Sequence, residues 1–173
     1  AAEEEIQQEE IYGRFLKEYD VVKVYLYKDQ SCKGHLVAVF KESAREMCRL
    51  SALERNIFFA DVAKAATVLK KCYNPDAICY MDMEDMGDKL VYHIIPKYKE
   101  DGNFGVQQMI DYGAVYENTQ RYDAIYEKMK DKFKENFLIV LPAAIITIVL
   151  LILLTSNGQY QVTEELPYNI LRV

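Results

Sequence analysis

The chain reads as an α+β protein: an antiparallel sheet with a packed helix, followed by a long C-terminal helix that enters a single transmembrane span. Three observations predict this. Val21 to Tyr27 and His35 to Phe40 are rich in alternating β-branched and aromatic residues and flank the breaker-rich turn Lys28 to Gly34, so they read as an antiparallel pair. Residues 51–73 open on Ser51-Ala-Leu-Glu54, a capping box, and carry apolar residues at helical spacing. Phe137 to Leu154 is an uncharged apolar run of about 18 residues, roughly 27 Å as a helix, enough to cross a hydrocarbon core.

Taken in order, residues 1–11 form an acidic arm, with five glutamates and one strongly apolar residue, Ile6, in its first ten; the composition favours a mobile tail over a solvated helix start or an arm lying on a partner. The head is expected over 12–105. After the strand pair, Ser43 opens a helical region, and the helix from Ser51 to about Tyr73 directs Ile57, Phe58, Val62, Ala65, Ala66 and Leu69 to the core. Asn74-Pro75-Asp76 stops it. Ala77 to Met81 is a third strand. The carboxylates of Asp82 to Asp88 lack the spacing and the distal bidentate glutamate of a calcium loop, so the segment reads as a hairpin turn bending at Gly87. Asp88 to Tyr98 is the returning strand, ended by Pro96. Its alternation puts Lys89, Val91, His93 and Ile95 on one face and Leu90, Tyr92 and Ile94 on the other.

Residues 101–105 form a loop, and 106–136 a helical connector. Within it a helix starts at Thr119, with Tyr122, Ile125, Tyr126, Met129 and Phe133 as one stripe that packs on its own domain or on a partner helix. The transmembrane helix is assigned to 137–155. Pro142 lies near its start, and Thr147 can bond its own backbone. Residues 156–173 form a short tail. Lys128, Lys130, Lys132 and Lys134 precede the span and only Arg172 follows it, so the head is expected on the cytosolic or matrix side.

Composition narrows the function. The 173 residues make room for one modest domain plus extra elements, and a net charge of −6 argues against a nucleic-acid surface. Cys32, Cys48, Cys72 and Cys79 form no CxxC pair, and only two histidines exist; no metal and no cofactor is expected, and the cysteines read as reduced, small hydrophobes. A start without methionine is what removal of a targeting peptide leaves, and an arbitrary chain boundary reads the same.

Lys33-Gly-His-Leu-Val-Ala-Val-Phe-Lys41, the helix 51–73 and Leu90-Val-Tyr-His-Ile-Ile-Pro-Lys-Tyr98, in that order and spacing, resemble the histidine triad (HIT) family over about Phe15 to Lys99. The resemblance implies a nucleotide-binding fold in which alternate histidines on the last hairpin strand transfer or hydrolyse nucleotidyl groups. His93 then matches the third histidine of the motif and His35 the extra one in the Gly-His strand. The first histidine position holds Lys89 and the nucleophilic one holds Val91. Valine has no lone pair and cannot form a phosphoramidate. The family's Gly-Gln-containing phosphate loop is missing, the hairpin is shortened at Met86-Gly-Asp88, and Asp85 and Asp88 would repel phosphates. The triad positions Lys89, Val91 and His93, with His35, are thus degenerate, and no catalytic residue is assigned.

The expected function is that of a non-catalytic accessory subunit of a larger membrane complex, in contact with other subunits and the lipid bilayer. The mitochondrial inner membrane is the expected site, with the head in the matrix, in a respiratory-chain or ATP synthase assembly. The endoplasmic reticulum or outer mitochondrial membrane, with the head in the cytosol, is the alternative. No nucleic acid and no nucleotide is expected to bind. The alternatives in function are a membrane-tethered nucleotide sensor using His35, His93 and Lys89, and a hydrolase with an unconventional nucleophile.

Overall fold

In the computed structural model, which describes residues 2–82, 88–102, 104–105 and 119–135, five strands form one antiparallel sheet in the order β1-β2-β3-β5-β4. These are β1 (Gly13–Glu18), β2 (Val22–Tyr27), β3 (Leu36–Phe40), β4 (Ala77–Asp82) and β5 (Val91–Lys97). The predicted β2–β3 and β4–β5 pairs both form, and β5 closes the sheet by pairing with β3, Val37 opposite His93 and Val39 opposite Val91. Helix α2 (Ala52–Tyr73) connects β3 to β4. The Ser51 hydroxyl accepts from the Glu54 N–H and the Glu54 carboxylate accepts from the Ser51 N–H, completing the capping box. At the other end Asn74 adopts the left-handed conformation and donates to the Lys70 carbonyl, 2.8 Å away.

Both faces of the sheet are covered. On one, Val22, Val24, Leu26, Leu36, Ala38, Phe40, Leu90 and Ile94 meet Phe58, Val62, Ala65 and Leu69 of α2. The same core takes Tyr122, Ile125, Met129 and Phe133 from a helix over residues 119–135, here α3, so the aromatic stripe packs on its own domain. Tyr122 fixes α3 to the sheet: its hydroxyl donates to the Leu26 carbonyl at 2.6 Å and accepts from the Arg14 N–H at 2.9 Å. Asp61, fully buried on the apolar face of α2, accepts from the Val21 N–H at 2.9 Å and binds Lys64 at 2.8 Å. The opposite sheet face gathers Tyr25, Tyr27, Val37, Val39 and Val91, against which Tyr12 packs.

Three features depart from the sequence reading. The acidic arm is helix α1 (Ala2–Tyr12), anchored by Gln8, whose side-chain oxygen accepts from the Tyr25 hydroxyl at 2.6 Å. Strand β1 went unread because a bulge between Phe15 and Lys17 breaks its alternation. Pro96 does not end β5, which runs on to Lys97. Phe40 donates to the Leu90 carbonyl, and alternate residues turn to the same neighbour, so Leu90, Tyr92, Ile94 and Pro96 look toward β3. Leu36, the first residue of β3, already pairs with Ile94, so the missing Pro96 N–H costs no ladder bond.

The turn expected at Gly87, the connector's first part over 106–118, the span 137–155 and the tail 156–173 lie outside the described residues. Among the described residues no helix is long and apolar enough to cross a membrane.

Candidate functional site

The β2–β3 turn sets the position of His35. The buried Gln30 amide donates to the carbonyls of Tyr27 at 2.8 Å and His35 at 3.0 Å, while its oxygen accepts from the Gly34 N–H at 2.8 Å. The His35 N–H donates to the Cys32 carbonyl, and its carbonyl accepts from Tyr27 N–H, both at 3.0 Å. Gly34 has φ +95°, and a Cβ there would stand 2.9 Å from Leu69 and Tyr73, so only glycine fits the close approach. His93 is fixed by the β5 ladder, with Val37 and Met81 as its neighbours across the sheet.

The two histidines, 58 residues apart, meet: His35 Nε2 lies 3.0 Å from His93 Nδ1. The Tyr27 ring packs on both, with centroids 4.6 Å from His35 and 5.1 Å from His93. Both imidazoles are buried, at 4% and 3% exposure. Burial, reinforced by the neighbouring His93, holds the His35 pKa well below the ordinary histidine value, and burial pushes His93 down to about 4. At neutral pH the pair is uncharged, one ring nitrogen donating and the other accepting. Such a pair can hold a proton between two side chains, but as placed neither ring is exposed to a substrate phosphate.

Val91 is 5% exposed and packs with Tyr25, Tyr27, Val37 and Val39, on the same sheet face as the histidines. Lys89 does not join them. It precedes β5, and its ammonium donates to the Lys41 carbonyl at 3.0 Å, at the far end of β3. A cavity of about 540 Å³ near that end is lined by Asp88, Glu42, Glu54, Arg45 and Arg49 among others, and by neither histidine. Three of its charges are internally engaged, Arg49 with Glu46 at 2.9 Å and Glu54 in the capping box. Among the described residues no group of three or more His, Cys, Asp or Glu side chains is placed to hold a metal. Tyr27 and Gln30, which shape the site, were not singled out by sequence; the only signal was a polar turn residue between two strands.

This sheet, with a neutral histidine pair on one face and a helix on the other, has the histidine triad fold. No family model and no curated protein matches the chain by sequence. Solved structures do match. A HIT-like protein involved in cell-cycle regulation from Bartonella henselae is 19% identical, with TM-score 0.56 over 74% of this chain and 92% of that one. A hypothetical histidine triad nucleotide-binding protein from Sulfolobus tokodaii is 15% identical, with TM-score 0.58 over 75% of this chain and 89% of that one. A histidine triad protein from Sinorhizobium meliloti is 15% identical, with TM-score 0.57 and coverage of 73% and 93%. At these identities the likeness establishes the fold.

Proposed function

We propose that the chain is a non-catalytic, HIT-like accessory subunit of a membrane protein complex, anchored through 137–155, with its head on the lysine-rich side of the bilayer. The mitochondrial inner membrane, with the head in the matrix, is the location proposed for it, within a respiratory-chain or ATP synthase assembly. The observation that carries the loss of catalysis is Val91, a buried aliphatic side chain at the position where the family's nucleophile is expected. The near-complete burial of His93 works against a substitute nucleophile, since the attacking nitrogen must reach phosphorus. The uncharged run Phe137 to Leu154 and the lysines before it support the anchor and its orientation.

Two measurements test this reading. The full chain, extracted from native membranes in mild detergent, is expected to migrate on native gels with a larger assembly; a free monomer would sink the subunit role. The purified chain is expected to show no turnover of nucleoside phosphoramidates or dinucleoside polyphosphates, and any turnover abolished by His93→Ala would overturn the loss of catalysis. The retained His35–His93 contact favours one second reading, a tethered nucleotide sensor. Heat released on titration with purine nucleotides would select it over the accessory role.

A further inference from the structure

Lysines from three separate elements meet around one ring. Lys33 in the β2–β3 turn and Lys128 on α3 both lie over Tyr73, their ammonium nitrogens 5.2 and 4.3 Å from its centroid. Lys70 precedes Tyr73 by one turn of α2, and all three lysines are exposed. None of the three has a carboxylate partner among the described residues, whereas Lys64, Lys99, Lys130 and Lys132 each have one. The interior beneath them senses the same sign: burial raises the Cys72 thiol pKa, and the charges that act on it, Lys128, Lys132 and Lys33, all oppose that rise. In a chain whose net charge is −6, this is a local cationic surface that the described carboxylates leave uncompensated.

The chemistry of the occupant follows from the kind of cation on this face. Its charges are lysine ammoniums, point charges without the bidentate fork that suits phosphate. The helix end beside them is the C-terminus of α2, whose partial negative charge opposes a dense anion. The ring between them is engaged by two ammoniums rather than open to a stacked base. Separate ammoniums suit single carboxylates spaced along a chain. Alternate residues of an extended segment stand about 6.6 Å apart, a spacing that two ammoniums over one ring can meet. We propose that the face formed by Lys33, Lys70 and Lys128 docks an acidic, extended segment of a partner polypeptide. That the partner is a neighbouring subunit rests on the accessory role proposed above; the contact itself rests on the charge of this face.

The test titrates the purified full chain, in mild detergent, into a fluorescein-labelled peptide with glutamate at alternate positions among serines, and reads anisotropy. Saturable binding is expected at low salt and should vanish in molar salt, and the same peptide with glutamine for glutamate should not bind. Lys33→Gln with Lys128→Gln should weaken binding at least about fivefold, whereas Lys33→Arg with Lys128→Arg should retain it. Lys23→Gln with Lys130→Gln removes as much charge elsewhere and should change the affinity less than about twofold. Lys70→Gln alone should give a smaller loss in the same direction, which decides the matter if the Lys33 and Lys128 pair folds poorly. No saturable binding by the unaltered chain, or equal losses in the two glutamine pairs, overturns the proposal. So does tighter binding of inorganic polyphosphate or of a single-stranded oligonucleotide at the same lysines, which would make this a general polyanion face. A chain that migrates as a free monomer on native gels yet binds the peptide at these lysines would sink the subunit role and leave the docking face standing.

Discussion

Acid is expected to weaken this protein at the His35–His93 contact. Burial holds His93 neutral down to about 4, whereas the unfolded chain takes up its proton near the ordinary 6.5. Below 6.5 the unfolded state therefore binds more protons. Stability is full above that value, falls as pH drops through it, and stops falling once the folded state also protonates, below about 4. The His93 contribution amounts to about 3 kcal/mol across that window, and His35, displaced in the same direction, steepens the loss. Urea midpoints measured from about pH 7 to about pH 4 should fall accordingly, and His93→Gln should flatten the profile. A midpoint unchanged across the window would mean that the pair is not buried neutral in solution. Much of this site was legible before the structure: strand alternation put His93 and Val91 on one face, and the Gly-His strand supplied its partner. Lys89 lies just before β5, and its ammonium rests on the Lys41 carbonyl, a contact that strand alternation alone does not specify. Tyr27 and Gln30 went unnoticed because a buried tyrosine and a turn glutamine look ordinary until the fold brings the histidines to them.

Among the elements, those whose stability is local were the easiest to read. Helix α2 carries its own start signal in Ser51 and Glu54 and its own stop in Asn74, so its limits emerged within a residue or two. Strand β1 and helix α1 depend on distant partners. β1 is charged, bulged and held by β2 and by Tyr122, and a Cβ at Gly13 (φ +116°) would collide with the Leu26 carbonyl. α1 is polar on most of its surface and takes its place from the Gln8–Tyr25 bond and the Tyr12 ring on Tyr25. Nothing in either stretch announces these contacts in advance. Removing the local signal from α2 should have a correspondingly local cost: Ser51→Ala leaves the Glu54 N–H without its cap and should destabilise the head by about 1 kcal/mol. Chemical denaturation reads this directly, with an unchanged urea slope showing that only the cap was lost. A shift indistinguishable from zero would mean that water replaces the hydroxyl without penalty.

For the molecule as a whole, the decisive question is which parts of the chain the head needs in order to fold. The sequence suggests a head that ends near 105 and a helical connector leading to the membrane. Yet α3 supplies Tyr122, Ile125, Met129 and Phe133 to the same core as the sheet and α2, all at 5% exposure or less. It also binds the first strand through polar contacts: Tyr122 to Arg14 and Leu26, Tyr126 to the Phe15 carbonyl at 2.9 Å, and Asp123 to the Arg14 guanidinium at 2.6 Å. Each buried side chain of this size contributes about 1.5–3 kcal/mol, so together the four approach the 5–15 kcal/mol that holds a domain folded. A chain ending at 136 should therefore fold cooperatively, whereas one ending at 118 should lose its thermal transition and expose the α2–sheet core to dye binding. Met129→Ala, at a fully buried position, separates packing from length: within the longer chain it should lower stability by about 2–5 kcal/mol without abolishing the fold. If the chain ending at 118 melts as sharply and as high as the one ending at 136, α3 is an attachment to the head rather than part of it. If it does not, α3 belongs to the folding unit of the head and cannot move without disturbing the β1–β2 edge that it grips.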